Sequence, residues 1–268
     1  LDTVQGRPGA NSVIHLQTNF GGGKTHAELA LFHLLKSPQE SASVAHIRDF
    51  LSTSGFESIP EAAVAVLPGA DLYAGGREVE EGFVINTIWG ELAYRLGDES
   101  NRVELYEIVR SSDEQRFAPS IPTLRELLHR AGPNLILIDE LLHYVDKAAA
   151  VTVGDSNLGS QTLGFLRELT DAVDSVDHSV LVASVTASRL EDLEVLSRDD
   201  AQLTLAKLED ILRRVEDSRT PIEGTEIYDV IRTRLFQNVD FDTADQVAEA
   251  YFQFYKSDPW RDVLPQAS

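Results

Sequence analysis

Three glycines, a lysine and a threonine stand in succession at Gly21-Gly22-Gly23-Lys24-Thr25. Glycines let a backbone wrap closely around an anion and present successive N–H groups to it. A lysine ammonium placed next can reach the outer phosphates of a nucleotide, and a threonine hydroxyl can ligate magnesium. The apolar run Val13-Ile14-His15-Leu16 precedes the glycines, and Ala27, Leu29, Ala30, Leu31, Leu34 and Leu35 follow as a helical pattern. Strand, loop and helix in that order put the glycines at a helix N-terminus, where the dipole favours negative charge. The expectation is a phosphate-binding loop for ATP with magnesium. Asn19, Phe20 and His26 flank it and are read with Gly21, Gly22, Gly23, Lys24 and Thr25 as the nucleotide-binding set. The usual spacing puts a further glycine where Thr18 stands; three consecutive glycines can supply the flexibility instead.

A second constellation completes the chemistry. The buried-looking run Asn134-Leu135-Ile136-Leu137-Ile138 ends in Asp139-Glu140, and carboxylates at a strand's C-terminal end face the crevice where α/β sheets bind ligands. Asp139 is expected to join Thr25 in holding magnesium, and Glu140 to act as general base on the attacking water. Another apolar strand, Val180-Leu181-Val182-Ala183, ends in Ser184-Val185-Thr186. Ser184 and Thr186 share a face by alternation, and either could be a polar sensor beside that water. Arginines that neutralise transition-state charge are sought in the segment from Glu226 to Phe236, which offers Arg232 and Arg234; Arg213 and Arg214 are weaker candidates. The competing reading pairs these arginines with nearby acids on a solvated helical face.

Composition bounds the partners. The 268 residues carry 44 acidic against 23 basic side chains, a formal charge of −21, and only five of the basic ones are lysine. Such a surface repels DNA, so nucleic-acid contact would need a local arginine cluster. It suits a halophile or an acidic cytosolic protein equally. Cysteine is absent, which excludes disulfides and thiol catalysis. Methionine is absent too, and the chain opens on Leu1, so it reads as a piece of something longer. No apolar run approaches the roughly 20 residues of a membrane span, and the first residues lack a signal peptide's pattern. A cytoplasmic location is expected.

The elements that must position these groups follow from pattern. Residues 12–18, 62–67, 134–139 and 179–184 read as buried parallel strands. Helices are expected from the phosphate loop to Ser37-Pro38, then over 43–51, 85–96, 102–110, 122–130, 161–176, 201–215 and 244–255, with loops at 70–81 and 150–160. That order predicts an α/β fold, a P-loop NTPase three-layer sandwich with a mostly parallel sheet of the AAA+/ASCE type. The core is expected over 1–189, with a boundary near Arg189, and a helical C-terminal part over 190–268 that bears the arginines and a partial lid.

Taken in order, Phe20-Gly21-Gly22-Gly23-Lys24-Thr25-His26, Thr87-Ile88-Trp89-Gly90-Glu91-Leu92-Ala93, Asp139-Glu140, Leu181-Val182-Ala183-Ser184 and the segment from Glu226 to Phe236 resemble the predicted prokaryotic AAA+ ATPases of the domain-of-unknown-function 499 family. The likeness spans about residues 10–236. It implies an ATPase module of a larger, oligomerising protein that works with DNA-modifying or DNA-processing partner proteins, often in anti-phage defence. A nucleotide-gated switch with little turnover is the alternative. An Asn-Lys-x-Asp guanine motif is missing after the fourth strand, which counts against a GTPase.

Overall fold

The computed structural model describes residues 1–7, 10–16, 23–98, 100–185, 193–213, 216–219 and 241–256. They fall into two units, Leu1–Pro221 and Ile222–Ser268. The first unit thus carries the chain past Arg189 and includes everything described below except the last helix.

The first unit is built on an all-parallel sheet of five strands: β1 (Val13–Leu16), β2 (Ala63–Pro68), β5 (Asn134–Asp139), β8 (Ser179–Ser184) and β9 (Glu216–Arg219), in the order β2-β5-β8-β1-β9. Four of these lie where aliphatic runs placed them. β9 does not: Glu216-Asp217-Ser218-Arg219 contains no apolar residue, so no hydrophobic pattern marks it, yet it pairs along β1 from Val13 to Leu16.

Both faces of the sheet are covered. Strand alternation sends Ile136, Ile138, Leu181 and Ala183 to one side and Leu135, Leu137, Val180 and Val182 to the other. The second set meets Leu35 of α1 (Lys24–Lys36) and Leu51 of α3 (Ala45–Ser54), with the short α2 (Pro38–Ser43) between them. The first set meets α4 (Ile88–Leu96), α5 (Arg102–Gln115), α6 (Ile121–Ala131), α7 (Leu141–Ala149), α8 (Leu158–Ser175) and α9 (Arg198–Arg213). Each fully buried Leu or Ile in these layers contributes about 1.5–3 kcal/mol of hydrophobic stabilisation. Two small hairpins, β3 (Arg77–Glu78) with β4 (Val84–Ile85) and β6 (Thr152–Val153) with β7 (Ser156–Asn157), lie in or beside the segments expected to be loops. The second unit contributes α10 (Phe241–Lys256), whose Val247, Tyr251 and Phe252 are exposed.

The Thr87-to-Ala93 element is a packing device. Thr87 caps α4, accepting from the Gly90 N–H at 3.1 Å and donating to Asp113 Oδ1 at 2.5 Å. The cap explains why the helix begins at Ile88 rather than at Ile85. Gly90 lies so close to Asp113 that a β-carbon there would stand 2.3 Å from its Oδ1. Trp89 is fully buried. Glu91 takes hydrogen bonds from Arg77 (2.6 and 3.0 Å) and Arg95 (2.8 Å). Burial alone would raise its carboxyl's pKa, but the two guanidinium groups outweigh that and hold it below the usual value. Arg95 also donates to the Val66 carbonyl at 2.6 Å, tying α4 to the edge strand β2.

Candidate functional site

Because the strands are parallel and in register, their C-terminal ends share one rim: Leu16 lies opposite Ser184, and Pro68 opposite Asp139. From this rim α1 leaves toward one face of the sheet, whereas α9, which follows β8, packs on the other. The ends of β1 and β8 therefore border the kind of crevice in which open α/β sheets bind ligands.

Asp139 sits at the centre of that rim. Its Oδ2 accepts from the Thr25 hydroxyl at 3.0 Å, and its Oδ1 accepts from the Ser184 hydroxyl. Ser184 is fully buried, and its oxygen also accepts the Glu140 N–H at 3.2 Å. One serine thus fixes both the Asp139 carboxylate and the backbone of Glu140. Glu140 has φ 51° and ψ 43°, a left-handed conformation uncommon for a residue with a side chain, and it forms the N-cap of α7. The turn aims a partly exposed carboxylate from the strand end.

On the opposite side of the crevice, α1 begins at Lys24 directly after Gly23, whose φ of 83° only glycine adopts readily. Gly23 has no side chain to cap the helix and the first turn carries no acid, so the dipole's positive end is left to other anions. Of the expected nucleotide-binding and catalytic residues, Gly23, Lys24, Thr25, His26, Asp139, Glu140 and Ser184 are described, and Thr25, Asp139, Ser184 and Glu140 form one connected set. Asn19, Phe20, Gly21, Gly22, Thr186, Arg214, Arg232 and Arg234 lie outside the described residues. Arg213 ends α9 within 3.5 Å of Glu209, an intrahelical pair in which the arginine is exposed and the acid half-buried.

One acid belongs to this region without having been expected. Glu28 is only 5% exposed, on the stripe of α1 shared with Leu31 and Leu35, while Leu29 is 49% exposed. Of the apolar residues that mark α1, Ala27, Leu31, Leu34 and Leu35 pack inward and Leu29 does not. The stripe running 24, 28, 31, 35 was the available signal, because it carries Glu28 inward with Lys24. Burial, then the negative charge of Asp139, push the Glu28 carboxyl up to about 8, against the pull of Lys24. Its Oε1 has no hydrogen-bond partner among the described residues. The sign of the pH effect follows. A carboxyl that titrates near 8 when folded and near 4.5 when unfolded keeps its proton longer in the folded state. Its contribution is fully present below the unfolded value and is lost as pH rises through the folded one, at no more than about 1.4 kcal/mol per pH unit. Melting curves of nucleotide-free protein between pH 5 and 9 are expected to show that loss, and Glu28→Gln to flatten it.

The donors at the rim suit a hard cation. Thr25 and Asp139 offer oxygen only, and magnesium takes few protein ligands while keeping waters and phosphate oxygens. Among the described residues no group of three or more His, Asp or Glu could hold a metal by itself, so an ion here would depend on a ligand's oxygens.

Fold and site define the class: an α/β protein with an all-parallel sheet, whose strand ends gather a carboxylate, two hydroxyls and a glycine-led helix N-terminus. The chain belongs to the DUF499 family, whose N-terminal domain model matches residues 1–220. No curated protein and no solved structure matches it. None of the described helices is long and apolar enough to cross a membrane.

Proposed function

We propose that this chain is the magnesium-dependent ATPase module of a larger prokaryotic protein, binding and hydrolysing ATP to drive conformational work. The observation that carries the reading is the Asp139 carboxylate bonded at once to Thr25 and Ser184. It joins the loop-and-helix motif, the acidic strand and the intervening strand at a single point. The position of β8 between β1 and β5 supports the finer fold reading, a P-loop NTPase sandwich of the additional-strand AAA+ type.

In this reading Gly21, Gly22 and Gly23 wrap the phosphates and Lys24 pairs with the outer ones. Asn19, Phe20 and His26 complete the nucleotide pocket. Thr25 and Asp139 hold magnesium, which when bound neutralises phosphate charge. Glu140 takes the proton of the attacking water, and Ser184 keeps Glu140 and Asp139 in place. Arg232 or Arg234, from this chain or from a second copy in a homo-oligomer, meets the charge on the terminal phosphate. The work done on partner proteins that modify or process DNA, as in anti-phage defence, follows from the family resemblance.

Phosphate release from ATP is expected to require magnesium and to stop when EDTA removes it. ATP affinity, measured separately by titration, is the second arm. Tight binding with no release by the full-length protein and its partners would replace the motor by a nucleotide-gated switch. The absence of binding would end both readings.

A further inference from the structure

We propose that Gly69 is a positioning residue for Glu140, and that Lys147 locks the loop that keeps Gly69 in place. The proposal rests on reading Glu140 as the group that activates water, and the test separates the two.

β2 ends at Pro68, directly opposite Asp139, so the chain leaving β2 must run beside the Asp139-Glu140 turn. Gly69 makes that passage possible. Its N–H donates to the Asp139 carbonyl at 2.7 Å. A β-carbon at Gly69 would lie 2.4 Å from the Glu140 carbonyl oxygen, 2.9 Å from its carbon and 3.1 Å from the Asp139 oxygen. Every one of those atoms is backbone, so no side chain can swing away to make room. Glycine is required here for close approach, in the way it is at a backbone-to-ligand contact.

What Gly69 presses on is a strained turn. The left-handed conformation of Glu140 is unfavourable for a residue with a β-carbon and persists only where neighbours over-determine it. Those neighbours are now identifiable. Ser184 accepts the Glu140 N–H, His143 N–H donates to the Glu140 carbonyl at 3.0 Å, and Gly69 closes the remaining side.

Lys147 stands two turns along the helix that Glu140 starts. Its ammonium donates to the carbonyls of Gly69 (3.5 Å), Ala70 and Leu72 (3.3 Å). The charge serves the loop directly after β2, and it binds that loop to α7, the same helix whose cap is Glu140. The Asp139-Glu140 turn and the loop that braces it are thus both tied to α7.

The test compares Gly69→Ala, Lys147→Met and Lys147→Arg with the parent protein in three measurements: phosphate release, ATP affinity, and hydrogen exchange at the amides of Glu140 and His143. Displacing a catalytic group by about 1 Å can cost on the order of 100-fold. Gly69→Ala is accordingly expected to lower turnover by roughly tenfold to 100-fold while ATP affinity holds and exchange at the two amides quickens. Lys147→Met is expected to move turnover and exchange in the same direction by less, and Lys147→Arg, which keeps the charge and the donors, to restore both. Unchanged turnover and exchange in folded Gly69→Ala and Lys147→Met would overturn the proposal. So would turnover and ATP affinity falling in step, since that is the mark of general damage. If Gly69→Ala does not fold, Lys147→Met and its arginine rescue decide. If Glu140→Gln proves fully active, the assignment of the base fails, but the exchange measurement still decides whether Gly69 and Lys147 hold the turn.

Discussion

Glu140→Gln is expected to reduce phosphate release by about 10²–10⁴-fold, the usual contribution of a general base, while ATP affinity stays at the parent level. The substitution keeps the size and shape of the side chain. It also leaves the placement of the residue intact, because Ser184 holds Glu140 by its backbone N–H and His143 by its carbonyl. Only the capacity to accept a proton is lost. A fall in turnover with affinity preserved removes an interaction made in the transition state rather than one made in binding. Steady-state phosphate release and equilibrium titration with ATP, run side by side, check it. Retained turnover would transfer the proton to another acid. Glu28 is the next to examine, since its carboxyl already feels both Asp139 and Glu140.

Legibility in the sequence tracked burial and periodicity closely. β5 and β8 stand at the residues expected, 134–139 and 179–184, because central parallel strands are apolar on both faces and leave an unmistakable run. The meeting of Thr25, Asp139 and Ser184 was legible for a related reason: once β1, β5 and β8 are parallel neighbours, their polar C-terminal residues have only one rim to occupy. β9 was not legible, since a strand of four polar residues is specified by its partner β1 and not by its own composition. The extent of α7 was not legible, because the helix follows the acidic pair with no intervening turn residue; the left-handed Glu140 supplies the stop and start by itself. Gly69 and Lys147 were invisible for a third reason. Their importance lies in what they touch across the sheet rim, and a single glycine or lysine carries no periodic signal. Glu28 was overlooked for another reason: it lies on the same buried stripe as Leu31 and Leu35, and a count of apolar residues passes over an acid on their face.

Asp113→Ala is expected to cost about 4 kcal/mol of stability, summing two or three buried donors left unsatisfied at about 1–3 kcal/mol each. Asp113 is fully buried. Its two oxygens accept from the Asn86 N–H at 3.1 and 3.0 Å, the Thr87 hydroxyl at 2.5 Å and the Tyr106 hydroxyl at 2.8 Å. The carboxyl therefore joins the entry of α4 to the middle of α5, and it lies against Gly90, which has no side chain to fill the space vacated. For a domain of this size each kcal/mol moves the melting temperature by about 2–4 °C, so a thermal melt should drop by roughly 10 °C. Asp113→Asn should recover only part of that, because donors reach both oxygens and an amide replaces one acceptor with another donor. The effect should be confined to stability. α4 packs against β2, and β5 and β8 stand between β2 and β1, so below the melting transition ATP affinity is expected to match the parent. A melt within about 2 °C of the parent would mean that the polar cluster is worth less than about 1 kcal/mol. The Thr87-to-Ala93 element would then owe its place in the fold to the burial of Ile88, Trp89, Leu92 and Ala93 and to the Glu91 ion pairs.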